Sequence, residues 1–166
     1  MFNRFATATR LALAAGITEA ERNGDQHLNS DHLLLGLLHD PSSRATQAHG
    51  VDLARVRRTR TAMDREALAA VGIDVTDLAD ESPDDLDESV PELGHRPAWL
   101  RIRFTPATAE ALRRTVKAAA DRSSRTLEPE HLLLGLLDGQ RPDPAAELLA
   151  ALGVDAAAVR SRLAAA

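Results

Sequence analysis

Two carboxylates occupy the same place in two similar stretches of this sequence. Asp31 and Glu130 each come directly before the run His-Leu-Leu-Leu-Gly-Leu-Leu, which spans residues 32–38 and 131–137. A carboxylate can pair with a guanidinium group through two hydrogen bonds, and the start of a helix binds anions through its amide groups. Each acid would also stabilise its own helix through the helix dipole. The pattern therefore predicts either a binding site at each helix start or a purely structural arrangement.

The other reactive side chains form no catalytic pattern. The chain has no Cys, which excludes disulfides and thiolate metal sites. His32 and His131 precede apolar runs, which favours a packing role over metal binding or catalysis, and the other four histidines lack metal-ligand spacing. Neither a phosphate-binding loop nor a Gly-x-Ser-x-Gly motif is present. We therefore predict a protein that is not an enzyme and holds no metal or cofactor.

The elements that position these acids recur at a constant offset of 99 residues. Arg4-Phe5 matches Arg103-Phe104, and Ala12-Leu13 matches Ala111-Leu112, in the same register as the leucine runs. Such matches over more than thirty residues indicate that one unit has been duplicated. The shared apolar positions lie three or four residues apart, which predicts an amphipathic first helix in each unit. The leucine run is apolar nearly all round and predicts a short, buried second helix.

Three Gly-[Val/Ile]-Asp signals, beginning at Gly50, Gly72 and Gly153, predict the remaining helix ends. Glycine closes a helix in the left-handed conformation, and Asp caps the helix that follows. The middle signal has no leucine run, so an extra helical hairpin and an acidic linker are predicted between the units. With 44% hydrophobic but only 2% aromatic residues, we predict an all-α fold with units at 1–62 and 99–166, packed as one domain around a 63–98 insertion.

Charge is unevenly distributed along the chain. The net charge is -5, and nine acidic residues with no basic residue among them lie between positions 74 and 92. The basic cluster of Arg55, Arg57, Arg58 and Arg60 could contact nucleic acid or the acidic linker, but a solvated helix face is favoured. With few aromatic residues, no signal peptide and no long apolar span, we expect a cytoplasmic protein with neither nucleic acid nor membrane as a partner.

The two runs, each preceded by an acid and followed by a Gly-Val-Asp joint, resemble the Clp N-terminal (Clp repeat) domain. This domain heads the ClpA, ClpB and ClpC unfoldases, and its usual motif is (G/S)-(T/P)-E-H-(I/L)-L-L-(G/A)-L. The starts Met1-Phe2-Asn3-Arg4-Phe5 and Ile102-Arg103-Phe104-Thr105-Pro106 are similar to the ClpC branch. The resemblance covers both units but not residues 63 to about 98. It implies two pseudo-symmetric four-helix repeats.

The resemblance also implies candidate sites. Asp31 and Glu130 match carboxylates that hold the guanidinium of phosphoarginine, a degradation mark, in ClpC-like relatives, while hydroxyls and amides hold the phosphate. Asp31 is one methylene shorter than Glu, and Pro129 removes a hydroxyl and an amide donor, so the first pocket, with Ser30, is favoured. Phe2 and Phe104 match positions that line a groove for adaptors and cyclic-peptide antibiotics. Phe104 could equally belong to the core, which makes Phe2 the better surface candidate.

The function implied by the resemblance is reversible binding without catalysis. We expect a stand-alone protein, without ATPase modules, that binds adaptors or marked substrates and works with Clp unfoldase or protease components. A related hypothesis is a decoy that sequesters cyclic-peptide antibiotics. The alternative is a scaffold or regulatory protein that has lost the phosphoarginine pockets.

Overall fold

The computed structural model describes residues 4–73 and 102–165, and in these ranges the chain is mostly helical. The first unit contains α1 (Thr7–Arg22), β1 (His27–Leu28), α2 (Ser30–Leu37), α3 (Arg44–His49) and α4 (Leu53–Ala70). The second unit contains β2 (Arg103–Phe104), α5 (Pro106–Asp121), α6 (Pro129–Leu137), α7 (Pro144–Ala151) and α8 (Ala156–Ala164). The predicted all-α fold of two four-helix units is confirmed.

Local sequence signals account for most of the helix boundaries. Thr105 accepts a hydrogen bond from the amide of Thr108, and Pro106 follows at the first position of α5, where its missing N–H costs nothing. Asp52 and Asp155 cap α4 and α8 through their side chains, as the Gly-Val-Asp signals predict. The preceding Gly50 has a φ of 75°, a left-handed conformation in which a side chain would be strained.

The two units exchange short backbone pairings in front of their helices. Strands β1 and β2 pair in parallel, with Leu28 opposite Phe104, and Phe5 forms the equivalent bridge to Leu127. Two threonines at matching positions reinforce the exchange. Thr9 donates to the carbonyl oxygen of Leu127 at 2.7 Å, and Thr108 donates to that of Leu28 at 2.5 Å. These crossed pairings bring the two units onto a common core.

The two leucine runs form the centre of that core. Every residue from 32 to 38 and from 131 to 137 is buried, as their apolar character predicts. The glycine in each run allows close helix packing. A Cβ atom at Gly36 would lie 2.6 Å from the backbone nitrogen of Gly16 in α1, and one at Gly135 would lie 2.7 Å from that of Thr115 in α5.

Helix α4 continues past the predicted end of the first unit. The 63–98 insertion was predicted to begin at Met63, but α4 runs without a break to Ala70. Residues 74–101 lie outside the described residues, so the hairpin and the acidic linker stay predictions. None of the helices in the two described ranges has both the length and the apolar character needed to cross a membrane.

Candidate binding site at the two helix starts

Helices α2 and α6 begin with the same histidine contact. The backbone N–H of Asn29 donates to Nδ1 of His32, and that of Glu128 donates to Nδ1 of His131, both at 3.0 Å. Because Nδ1 accepts in each case, the proton of the neutral ring is on Nε2. Burial, followed by the charge of Arg122, lowers the pKa of His131 and so keeps its ring neutral. Both histidines therefore have the packing role that the sequence predicted.

Ser30, a predicted ligand-binding residue, links the two repeats. Its side chain is fully buried, and Oγ donates to Oδ1 of Asp143 at 2.6 Å. Oγ of Ser30 also accepts a hydrogen bond from the backbone N–H of Ala145 at 3.1 Å. Asp143 caps α7, so the hydroxyl connects the start of α2 with the start of α7. In this arrangement the hydroxyl faces the other repeat and not a ligand.

Asp31 already binds a guanidinium group, which belongs to the same chain. Only 5% of Asp31 is exposed, and its Oδ2 accepts a hydrogen bond from Nε of Arg60 at 2.6 Å. Nη2 of Arg60 donates to Oδ2 of Asp25 at 3.0 Å, and Nε2 of His32 lies 3.1 Å from the same oxygen. The carboxylate of Asp31 therefore binds a guanidinium group, but this group belongs to Arg60 of the same chain and not to a ligand.

The charges around Arg60 stabilise one another. Burial disfavours its charged form, but the carboxylates of Asp31, Asp64 and Asp25 outweigh burial and raise its pKa. Asp64 is 63% exposed, but partial desolvation of its carboxylate, together with the repulsion of Asp31 and Asp25, outweighs the attraction of Arg60 and raises its pKa. The second oxygen of Asp31, Oδ1, is buried without a hydrogen-bond partner. The first repeat thus contains a cluster of three acids around Arg60, in which Asp31 is buried while Asp25 and Asp64 are 37% and 63% exposed.

Glu130, the matching acid in the second repeat, is more open. Its side chain is 18% exposed, and its ion-pair partner is the half-exposed Arg44, whose Nε lies 3.8 Å from Oε1. Aligning the two Gly-Val-Asp joints places the buried Leu163 where the first repeat has Arg60. An aliphatic side chain cannot cover a carboxylate by hydrogen bonding. The more accessible carboxylate is therefore Glu130, whereas sequence analysis favoured the first pocket.

An apolar groove of about 270 Å³ is bounded on one side by Pro129, the first residue of α6. It is lined mainly by α1, by the end of α2 and the loop after it, and by the buried Pro129 of the second repeat, with Leu11, Leu37 and Ser43 among the lining residues. Arg44 and Glu130 directly follow two of these residues, Ser43 and Pro129, in the chain. The two residues of the ion pair are thus chain neighbours of lining residues, but they are not themselves part of the lining.

Only part of the predicted phenylalanine groove falls within the described ranges. Phe104 lies in β2, partly buried against the core. Phe2 lies outside the described residues. A surface formed by these two side chains therefore stays a prediction.

The prediction that the basic cluster forms a solvated face is wrong for two of its four arginines. Arg57 binds the buried carboxylate of Glu19 through Nη2 at 2.5 Å and Nε at 3.2 Å, and His39 lies 2.6 Å from the same group. Burial raises the pKa of Glu19, but the hydrogen bonds from His39 and Arg57 outweigh it and lower this pKa to about 2. Arg57 and Arg60 point inward, while Arg55 and Arg58 are exposed. Arg57 and Arg60 are three residues apart and therefore lie on the same side of a helix. This spacing is the sequence signal from which their shared inward direction could have been predicted.

Metal binding has no structural support in the ranges that the structure covers. No group of three or more His, Cys, Asp or Glu side chains lies close enough together there to hold an ion.

Comparison with known proteins agrees with this architecture. The structure resembles the crystal structure of the N-terminal domain of the caseinolytic protease associated chaperone ClpD from Arabidopsis thaliana, with a TM-score of 0.65 and 20% sequence identity. The likeness covers 98% of this chain and 96% of the ClpD chain. In addition, the sequence model of the Clp repeat (R) N-terminal domain matches residues 58–141 and 103–166. Because these matches span about two thirds of the sequence, the chain belongs to the Clp repeat N-terminal domain family.

Proposed function

We propose that this chain is a non-catalytic binding module of the Clp proteolytic system that receives proteins marked with phosphoarginine. Family membership supports the Clp setting, because the Clp N-terminal repeat domain is an interaction domain. The observation that carries the finer proposal is the partly exposed Arg44–Glu130 ion pair, whose residues directly follow two residues that line the apolar groove.

The charges of this pair complement those of phosphoarginine. The carboxylate of Glu130 suits the guanidinium group, which it can bind through two hydrogen bonds. Pro129 cannot donate an amide to the phosphate, and the nearby carboxylate of Glu128 would repel it. The guanidinium of Arg44, 50% exposed, supplies the positive charge that the helix start lacks. Binding of phosphoarginine would thus break the ion pair between Arg44 and Glu130. It would form two new ion pairs, one between Glu130 and the guanidinium group and one between Arg44 and the phosphate.

The groove gives the remainder of a marked peptide a place to bind. Its lining is mostly apolar, with Leu11, Leu37 and Pro41 among its walls. Apolar contacts beside a charged anchor are typical of peptide recognition sites. We therefore expect a peptide with phosphoarginine next to apolar residues to bind more tightly than the free amino acid.

Titration calorimetry with phosphoarginine and with arginine tests this proposal. Wild-type protein is expected to bind phosphoarginine more tightly. Glu130→Ala should weaken binding about 10- to 100-fold, because charged hydrogen bonds contribute roughly 1.5–3 kcal/mol. Arg44→Ala should remove the preference for phosphoarginine over arginine. Asp31→Ala, which changes the matching acid of the closed first repeat, is the control and should bind as wild type does.

Two results would contradict the proposal. One is no heat with millimolar phosphoarginine, and the other is equal heat from wild type and Glu130→Ala. Either result would favour the alternative, a scaffold or regulatory protein that has lost the phosphoarginine pockets. Binding lost in Asp31→Ala but kept in Glu130→Ala would move the site to the first repeat.

Sequestration of cyclic peptides is a second candidate function. Its support is the partial exposure of Phe104, an aromatic side chain at the junction of the two repeats. Aromatic residues at such positions commonly anchor ligands. Binding of a cyclic-peptide antibiotic that is lost in both Phe2→Ala and Phe104→Ala would support this function, and unchanged binding in both variants would exclude it.

A further inference from the structure

The first repeat contains a fully formed guanidinium site that is filled from within the chain. Each guanidinium nitrogen of Arg60 faces a different carboxylate. Nε lies 2.6 Å from Asp31, Nη2 lies 3.0 Å from Asp25, and Nη1 lies 4.0 Å from Asp64. Asp31 and Asp25 are within hydrogen-bonding distance of the guanidinium group, and Asp31 is the buried member of the three. The surroundings of Arg60 therefore resemble a binding site with its ligand in place.

Asp31 retains an unused hydrogen-bonding position in this site. Its Oδ1 is buried and has no partner, while Arg60 donates to Oδ2 alone. A guanidinium group that is free of the α4 backbone could approach both oxygens and form two parallel hydrogen bonds. The buried oxygen Oδ1 is thus a hydrogen-bonding position that Arg60 leaves unfilled.

We propose that Arg60 is an internal ligand that keeps the guanidinium site of the first repeat closed, and that displacing Arg60 opens this site to an arginine side chain of another protein. The inference deepens the proposed function, on which it rests for the nature of the external group. It assigns a specificity-determining role to Arg60, because Arg60 decides which repeat accepts a guanidinium group.

Helix α4 is anchored in a way that allows this displacement. Val56, its only fully buried residue, and Arg57, which binds the buried Glu19, hold its first two turns, whereas Met63 is only half-buried. From residue 64 to residue 73 every position is exposed, so the end of α4 projects beyond the core. A protein that binds this projecting end could draw Arg60 away from Asp31. In the closed state the attachment of Arg60 to α4 gives it an effective concentration of millimolar or more, which excludes external ligands.

Thermal unfolding of Arg60→Ala in the presence of methylguanidinium tests the inference. At about ten times its dissociation constant, methylguanidinium should raise the Tm of Arg60→Ala by about 3–6 °C, because it refills the site. The Tm of Glu130→Ala, in which Arg60 is intact and the open carboxylate of the second repeat is removed, should not rise. Methylammonium chloride at equal concentration controls for charge and ionic strength and should have no effect. If Arg60→Ala is unfolded alone, recovery of its helical circular dichroism with methylguanidinium but not methylammonium is the expected result.

Three further variants locate the effect. Arg60→Leu copies Leu163 of the second repeat, fills the space and should not respond to methylguanidinium. Asp31→Asn added to Arg60→Ala should abolish the response. Glu130→Ala added to Arg60→Ala should leave the response intact, which separates this site from that of the proposed function. A response that is absent in Arg60→Ala, equal in Glu130→Ala alone, or lost when Glu130→Ala is added to Arg60→Ala would overturn the inference.

Discussion

Replacement of Gly36 by Ala tests whether close helix packing explains the glycine of the leucine run. Considered only as a helix residue, Ala is about 1 kcal/mol more favourable than Gly. In the folded protein the added Cβ would clash with the carbonyl oxygen of Ala12 and lie 2.6 Å from the nitrogen and 2.9 Å from the Cα of Gly16. Helix propensity therefore predicts that Gly36→Ala stabilises the protein, whereas tertiary packing predicts that it destabilises the protein.

The size of the expected destabilisation depends on how far the added Cβ atom forces α1 and α2 apart. Carbon atoms pack at about 3.5–4.0 Å, so α1 and α2 would have to separate by about 1 Å. The clashing atoms belong to backbone, which cannot rotate away, so the cost should lie near the upper end of the usual 1–3 kcal/mol for overpacking. After the gain in helix propensity, we expect Gly36→Ala to destabilise the protein by about 2 kcal/mol.

Urea and thermal unfolding measure this change. A loss of about 2 kcal/mol corresponds to a fall in Tm of roughly 4–8 °C for a chain of this size. Gly135→Ala, the matching change in the second run, should behave similarly, since its Cβ would lie 2.7 Å from the nitrogen of Thr115. Gly24→Ala is the control, because its Cβ would meet no atom within 4 Å and only its φ of 72° is unfavourable, at about 1 kcal/mol. A neutral or stabilising Gly36→Ala would refute the packing explanation.

Three further predictions concern buried polar groups. Ser30→Ala should lower the free energy of unfolding by about 1–2 kcal/mol in urea, because it leaves the buried Asp143 without its partner in α2. Glu19 has a pKa of about 2 against an ordinary 4.5, so its ionisation stabilises the protein by about 3 kcal/mol above pH 4.5. This contribution should be lost as the pH falls from 4.5 towards 2, and unfolding curves of Glu19→Gln should show a weaker dependence on pH over that range. Arg57→Ala should cost about 3–5 kcal/mol, since it removes a partner of a buried carboxylate, and a loss below 1 kcal/mol would mean that water replaces the guanidinium.

Sequence reasoning succeeded where the determining interactions are local. The constant offset between the leucine runs predicted two similar units, and the structure shows them pairing through β1 and β2. Thr105, Asp52 and Asp155 were recognisable as caps because capping depends on amides within three residues along the chain. The burial of both leucine runs followed equally from their composition, since a helix that is apolar on all sides has no solvated face.

The partners of charged side chains could not be predicted in this way. Asp31 and Arg60 are 29 residues apart, and only the packing of α4 against the start of α2 brings them together. The constant offset of 99 residues places Val159, not Leu163, opposite Arg60, because the joint before α8 lies 103 residues after the joint before α4.

The sequence by itself determined the family, the helices and the two carboxylates that could bind a guanidinium group. Only the tertiary structure decided which carboxylate is accessible. Arg60 occupies Asp31 in the first repeat, whereas Leu163 leaves Glu130 facing the half-exposed Arg44. The physical reason is that helix formation depends on neighbours in sequence, while the pairing of a buried charge depends on which helices meet in space.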